Sequence, residues 1–217
     1  MWKALVIKEL RESAGIVALA ALAAVIMVTG MAGLPLLPFG VTGSDDFPFV
    51  SDTFLFYMGV VVGLLAVALG LKQSAWETGS GTYYFLLHRP VDRVTIFAIK
   101  VIIGITIVLG FGVAMILFYA AWAAAPGHSG VPFLWSMTFP SWRLLASLSI
   151  VYVGAFFSGI RPARWYGSRL GPVIAAGFVV AALALTSPWG WLTVAVTILF
   201  VAINLAAIFL YVNSRDY

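Results

Sequence analysis

The chain has 217 residues, 63% of them hydrophobic and only 9% charged, with a formal net charge of +4 and a mean hydropathy of +1.07. A soluble domain carries roughly 25% charged residues, so this composition excludes an ordinary soluble enzyme and leaves no room for a soluble domain of about 100 residues beside a membrane domain. There is no cysteine, which removes disulfides, thiolate nucleophiles and cysteine metal sites, and the basic residues form no stripe suited to nucleic acid.

From the N-terminus, residues 2–13 read as an amphipathic helix, with Trp2, Leu5, Val6 and Leu10 toward lipid and Lys3, Lys8, Glu9 and Glu12 toward water. Such a helix is expected to lie in the interface plane before the chain turns into the bilayer; the alternative is a charged extension that stops the first span. A cleavable signal peptide is not expected, because the apolar run that follows is longer than an h-region of about 7–15 residues.

Six apolar stretches follow, at 14–37, 52–71, 101–125, 144–160, 170–186 and 191–212. A spanning helix needs about 20 apolar residues, so the fourth and fifth are at the short end. Residues 38–51, with Asp45, Asp46 and the helix breakers Pro38, Gly40, Gly43 and Pro48, read as an acidic external loop. Residues 126–143 read as a second external segment, held at headgroup level by Trp135 and Trp142. Ser187-Pro188-Trp189-Gly190 forms the last turn.

Basic residues collect in alternate gaps. Lys3, Lys8 and Arg11 precede the first stretch; Lys72, Arg89, Arg93 and Lys100 lie between the second and third; Arg161, Arg164 and Arg169 lie between the fourth and fifth; Arg215 follows the last. Only Arg143 falls in another gap. The positive-inside rule then predicts an all-α polytopic membrane protein of six transmembrane helices with both termini cytoplasmic, folded as one transmembrane domain over 1–217.

Apart from Asp52 at the very edge of the second, no Asp, Glu, Lys or His falls within these six stretches. Proton-coupled carriers, voltage sensors and intramembrane metallohydrolases place such residues inside the membrane, so none of these is expected. His88 and His128 fall on opposite sides in this topology, which speaks against a shared metal site. Asn204 is the one side-chain amide in a span, a candidate for a polar contact across helices or along a substrate path. Gly59 and Gly63 make a GxxxG match whose expected role is packing of the second span within one subunit. With no fixed charge in the spans, a transported species is expected to be handled by shape and apolar contact, as a lipid or hydrophobic drug would be.

The segment 72–100 is the longest cytoplasmic one. A glycine-rich break, Gly79-Ser80-Gly81, precedes Thr82-Tyr83-Tyr84-Phe85-Leu86-Leu87. Thr82 is placed to cap a helical turn, Pro90 ends it, and Asp92 caps the next helix, which carries Arg93 and Lys100. A turn so rich in aromatic and aliphatic side chains is expected to meet something other than water, either a soluble partner or the lipid surface.

This segment resembles the first cytoplasmic loop of type-2 ABC transporter permeases in Glu77, Gly81-Thr82, Leu86-Leu87, Arg89-Pro90-Val91-Asp92-Arg93 and Lys100, with Asp92 where serine is common in that family. The opening Trp2-Lys3-Ala4-Leu5 and Lys8-Glu9-Leu10-Arg11-Glu12 is similar to the connecting helix that begins such subunits. The resemblance covers residues 2–12 and 77–100 as sequence and the whole chain as topology. It implies the membrane subunit of an exporter in a bacterial or archaeal cytoplasmic membrane, paired as a homo- or heterodimer. A separate ABC ATPase subunit would seat the coupling helix, with Glu77, Thr82, Tyr83, Tyr84, Phe85, Leu86, Leu87, Arg89, Asp92 and Arg93 carrying the contact.

No GxxxxGK[ST] phosphate-binding loop occurs, so no cofactor and no catalytic residue is expected in this chain, and ATP and Mg are expected on the partner. Two other readings use the same loop. One is a scaffold or assembly factor that recruits a soluble protein without responding to nucleotide. The other is a lipid-modifying enzyme using Glu77, His88, Arg89 and Asp92 at the headgroups.

Overall fold

The computed structural model describes residues 2–32, 48–50, 52–76, 93–125, 132–161, 168–185 and 190–214. Among these residues the protein is all-helical. The helices are α1 (Trp2–Met31), α2 (Asp52–Leu71), α3 (Arg93–Ala123), α4 (Phe139–Ile160), α5 (Gly171–Leu185) and α6 (Gly190–Ser214). A π-turn, Lys72–Trp76, extends α2, and 3-10 turns at Trp135–Thr138 and Ser168–Leu170 lead into α4 and α5.

Five helical segments are long and apolar enough to cross a membrane: Lys3–Met31, Asp52–Trp76, Val94–Ala123, Trp135–Ile160 and Gly190–Tyr211. The sixth, Ser168–Ala184, is shorter; the 15 residues of α5 span about 22 Å at 1.5 Å per residue, less than a hydrocarbon core of about 30 Å. This architecture is compatible with an integral membrane protein.

α4 is the hub, packing against α2, α3, α5 and α6. Its Leu145, Leu148, Tyr152 and Phe156 are buried in one continuous core with Phe54, Met58 and Leu65 of α2 and Phe97 and Ile116 of α3. The outer helices keep apolar side chains on their other faces, among them Leu19, Phe56, Phe118, Phe178 and Leu210. In water such a surface would be a large apolar patch; in lipid it meets a medium as apolar as itself.

Glycine sets how closely α4 is approached. Gly59 and Gly63 face Leu144 and Leu148 of α4 at ordinary van der Waals spacing, so this pair packs span two within the subunit as expected. The tighter contacts lie elsewhere. A Cβ on Gly70 would sit 2.8 Å from the carbonyl oxygen of Tyr152, and one on Gly104 would overlap the Tyr152 phenol.

Three expectations about element boundaries are corrected. Residues 2–13 do not form a separate interfacial helix, because α1 runs unbroken from Trp2 to Met31; its charged turns are the first part of the spanning helix. The fourth helical segment begins before residue 144: Trp135–Ile160 is one run long and apolar enough to cross a membrane, with Pro140 accommodated in the first turn of α4, where its missing N–H costs nothing. The segment after α2 begins later than residue 72, since 72–76 are helical, whereas the helix that carries Arg93 and Lys100 starts at Arg93, where the sequence placed it.

At the end of the bundle holding the starts of α2, α4 and α6, Phe49 is buried with its centroid 4.9 Å from those of Phe54 and Tyr119. Its backbone has φ 62°, a left-handed conformation unfavourable for a bulky residue; the aromatic cluster holds it there.

Candidate functional site

The opposite end gathers the start of α1, the π-turn after α2, the start of α3 and the later turns of α4 around a buried polar network. Glu9 and Lys100 are 1% and 0% exposed, and Lys100 Nζ lies 2.6 Å from Glu9 Oε1. Gln73 Nε2 donates to Glu9 Oε2 at 3.4 Å. The Tyr152 hydroxyl donates to Gln73 Oε1 at 2.6 Å and lies 3.2 Å from the Lys100 carbonyl oxygen. It has a single proton, so the shorter bond to Gln73 takes most of it.

Local sequence explains how four such groups are delivered to one place. The buried stripe of α1 runs through Ala24, Met27, Val28 and Met31. Continued backward at the helical period, through the half-buried Ala20, Val17 and Ile16, it reaches Ser13 and Glu9. The stripe of α3, through Val108, Gly104, Val101 and Phe97, likewise contains Lys100. On α4, Tyr152 follows Leu145 and Leu148 on the buried side. The π-turn changes the register at the end of α2, so that Gln73 and Ser74 are both buried; π-turns are rare and are often found at functional sites.

Burying two charges costs several kcal/mol per ion unless each is matched and its remaining hydrogen bonds are met. Here the carboxylate receives one oxygen's bond from Lys100 and the other's from Gln73. Around this centre, Lys8 lies 3.9 Å from Glu9 and 3.6 Å from Glu12, and Lys72 Nζ donates to the Glu12 carbonyl oxygen. The Ser13 hydroxyl returns to the Glu9 carbonyl at 2.7 Å. Ser74 donates to the Gly70 carbonyl at 2.6 Å and packs flush on Gly159 of α4, where a Cβ would collide with its hydroxyl. At the far side of α4, Arg169 donates to the carbonyl oxygens of Ser158 and Gly159 at 3.3 and 2.8 Å. It thereby caps carbonyls that a helix end leaves without an intrahelical partner.

Tyr152→Phe removes the hydroxyl that joins α4 to the π-turn and to α3 and leaves Gln73 Oε1 buried without that donor. The variant is expected to lose about 1–2 kcal/mol, read as a lower melting temperature in detergent. An unchanged melting temperature would show that the hydroxyl contributes no net stability.

Several expectations are altered. Glu9 faces the core, not water, because α3 and the π-turn pack over it. Lys100 is not a headgroup-facing cation at the membrane edge but the buried partner of Glu9. Asn204 makes no contact across helices among the bonds of the described residues; its Nδ2 donates to the Phe200 carbonyl of its own helix at 2.9 Å, the local solution open to an amide in an apolar helix. Of the loop residues assigned to partner binding, Glu77, Thr82, Tyr83, Tyr84, Phe85, Leu86, Leu87, Arg89 and Asp92 lie outside the described residues, as does His88. Arg93 opens α3. Gln73 and Tyr152 were not singled out for this role by sequence; the signal that was present is the helical register that places Glu9 and Lys100 on buried stripes. Among the described residues no group of three or more His, Cys, Asp or Glu is placed to hold a metal ion.

Compared with protein-family models, curated proteins and solved structures, the chain matches none.

Proposed function

We propose that this chain is the membrane-spanning subunit of an ATP-driven ABC transporter, an exporter. It pairs with a second permease subunit and is driven by a separate ATPase that engages the segment 77–93. The observation that supports this reading most is the position of the buried network relative to that segment. Gln73 precedes Glu77 by four residues, and Lys100 follows Arg93 by seven. Both are fastened to Glu9 of α1, and Gln73 also to Tyr152 of α4. A push on the segment would therefore reach four helices through short, buried bonds instead of dissipating in a flexible linker.

Charge placement supports the orientation. Lys3, Lys8, Arg11, Lys72, Arg161 and Arg169 sit toward the network end, whereas Arg143 is the one basic residue of the described set at the other. On the positive-inside rule the network end is cytoplasmic, with six spans and both termini on that side. ATP hydrolysis belongs to the partner in this reading, and the membrane is the cytoplasmic membrane of a bacterium or archaeon.

The test is co-purification in detergent with an ABC ATPase encoded beside this chain, comparing the native chain with a Glu77→Lys, Phe85→Ala, Leu86→Ala variant. The expected result is a complex with the native chain and at least a tenfold lower yield with the variant, about 1.4 kcal/mol of binding. Co-purification that ignores these residues would overturn the coupling assignment. A soluble partner held through the same loop without any effect of nucleotide would favour the scaffold reading.

A further inference from the structure

At the end of the bundle opposite the network, a cleft of about 380 Å³ opens between α2, α4, α5 and α6. Among the described residues only two ionised side chains lie at that end, Asp52 at the start of α2 and Arg143 near the start of α4, and both line this one cleft. The rest of its lining includes the apolar Leu55, Leu144 and Leu183 and the hydroxyl residues Ser147 and Thr193. Trp135 and Trp191, exposed at the same end, set its height, because exposed tryptophan in a membrane protein marks the headgroup layer.

One carboxylate and one guanidinium in a cleft whose other lining mixes apolar side chains with the hydroxyls of Ser147 and Thr193 match a ligand with both charges and an apolar body. Guanidinium suits a phosphate through paired N–H donors, and a carboxylate accepts hydrogen bonds from a primary ammonium. We propose that this cleft binds an ammonium–phosphate zwitterion, with the phosphate on Arg143 and the ammonium on Asp52. The apolar part of the lining and the headgroup height select a phospholipid, one with an ethanolamine headgroup, as the source. A choline headgroup carries no N–H for Asp52, and a glycerol headgroup carries no cation. The assignment needs only that the protein resides in a bilayer; it does not depend on coupling to an ATPase.

The test is native mass spectrometry of the purified full chain after exchange into detergent doped with equal amounts of phosphatidylethanolamine, phosphatidylcholine and phosphatidylglycerol. A parallel arm offers water-soluble O-phosphoethanolamine. The expected result is selective retention of phosphatidylethanolamine, reduced about tenfold in Asp52→Asn and in Arg143→Gln, the effect of losing one charged hydrogen bond. Asp52→Glu and Arg143→Lys, which keep the charges, serve as folded controls expected to retain the preference in part. Equal retention of the three lipids would overturn the proposal, and so would a preference indifferent to both neutral variants while the protein stays monodisperse. Binding of O-phosphoethanolamine as tight as that of the lipid would keep the zwitterion site and overturn the lipid as its source.

Discussion

Lys100→Met is expected to destabilise the protein by about 3 kcal/mol, because it removes the close partner of a buried ion pair and leaves Glu9 only the longer 3.9 Å contact to Lys8. Glu9 would then face an apolar side chain across the 2.6 Å contact it now makes, with Gln73 as its remaining side-chain donor of the network. Glu9→Gln should cost a similar amount, since it leaves the ammonium of a 0% exposed lysine without a counter-ion. The double variant Glu9→Leu, Lys100→Met is expected to recover most of the loss, because a buried pair exchanged for apolar groups of like volume is often neutral in stability. The measurement is thermal unfolding of the four proteins in one detergent. If the two single losses simply add in the double variant, the charges are not coupled and the network is not the clasp described above.

The same set separates stability from function. If the chain is the proposed transporter subunit and the buried network transmits motion, the double variant should fold and bind the partner ATPase while substrate-dependent ATPase stimulation falls. Stimulation equal to that of the native chain would leave the ion pair with a structural role alone.

The second large effect is steric. A side chain at Gly104 would occupy the space of the Tyr152 phenol, so Gly104→Val is expected to cost about 3 kcal/mol, the upper range for overpacking a filled core. The displaced Tyr152 would also lose its bond to Gln73. The cost should therefore shrink when Tyr152 is first replaced by alanine, since residues in contact are not additive. Equal costs in both backgrounds would mean that Gly104 is needed for some other reason than room for Tyr152. At Gly59, where an added Cβ would meet Leu144 at an ordinary 3.5 Å, Gly59→Ala is expected to be nearly neutral. That contrast identifies the glycines of close approach, which the GxxxG spacing alone does not.

How much of this was legible beforehand follows from which physics each feature depends on. Sequence by itself determined that the chain is helical and built for lipid. Long uncharged stretches can satisfy their backbone in a bilayer only as helices or closed barrels, and their lengths suit helices. It also determined that α5 is short and that basic residues alternate between gaps. It misplaced Glu9 and Lys100, because a hydropathy reading treats every charge as a mark of water. Whether a charge is solvated depends on what packs over it, and Glu9 and Lys100 are 91 residues apart.

Only the tertiary structure decided that these two residues form a pair, that the π-turn at Lys72–Trp76 supplies Gln73 to it, and that Tyr152 of the central helix closes it. Only the tertiary structure decided, too, that Asp52 and Arg143 share a cleft. Helical periodicity assigns a residue to a face, but which faces meet, and at what height along the helices, is settled by contacts such as Gly70 and Gly104 against α4. Those contacts depend on close packing between distant segments, a property of the assembled bundle and of no single stretch of chain.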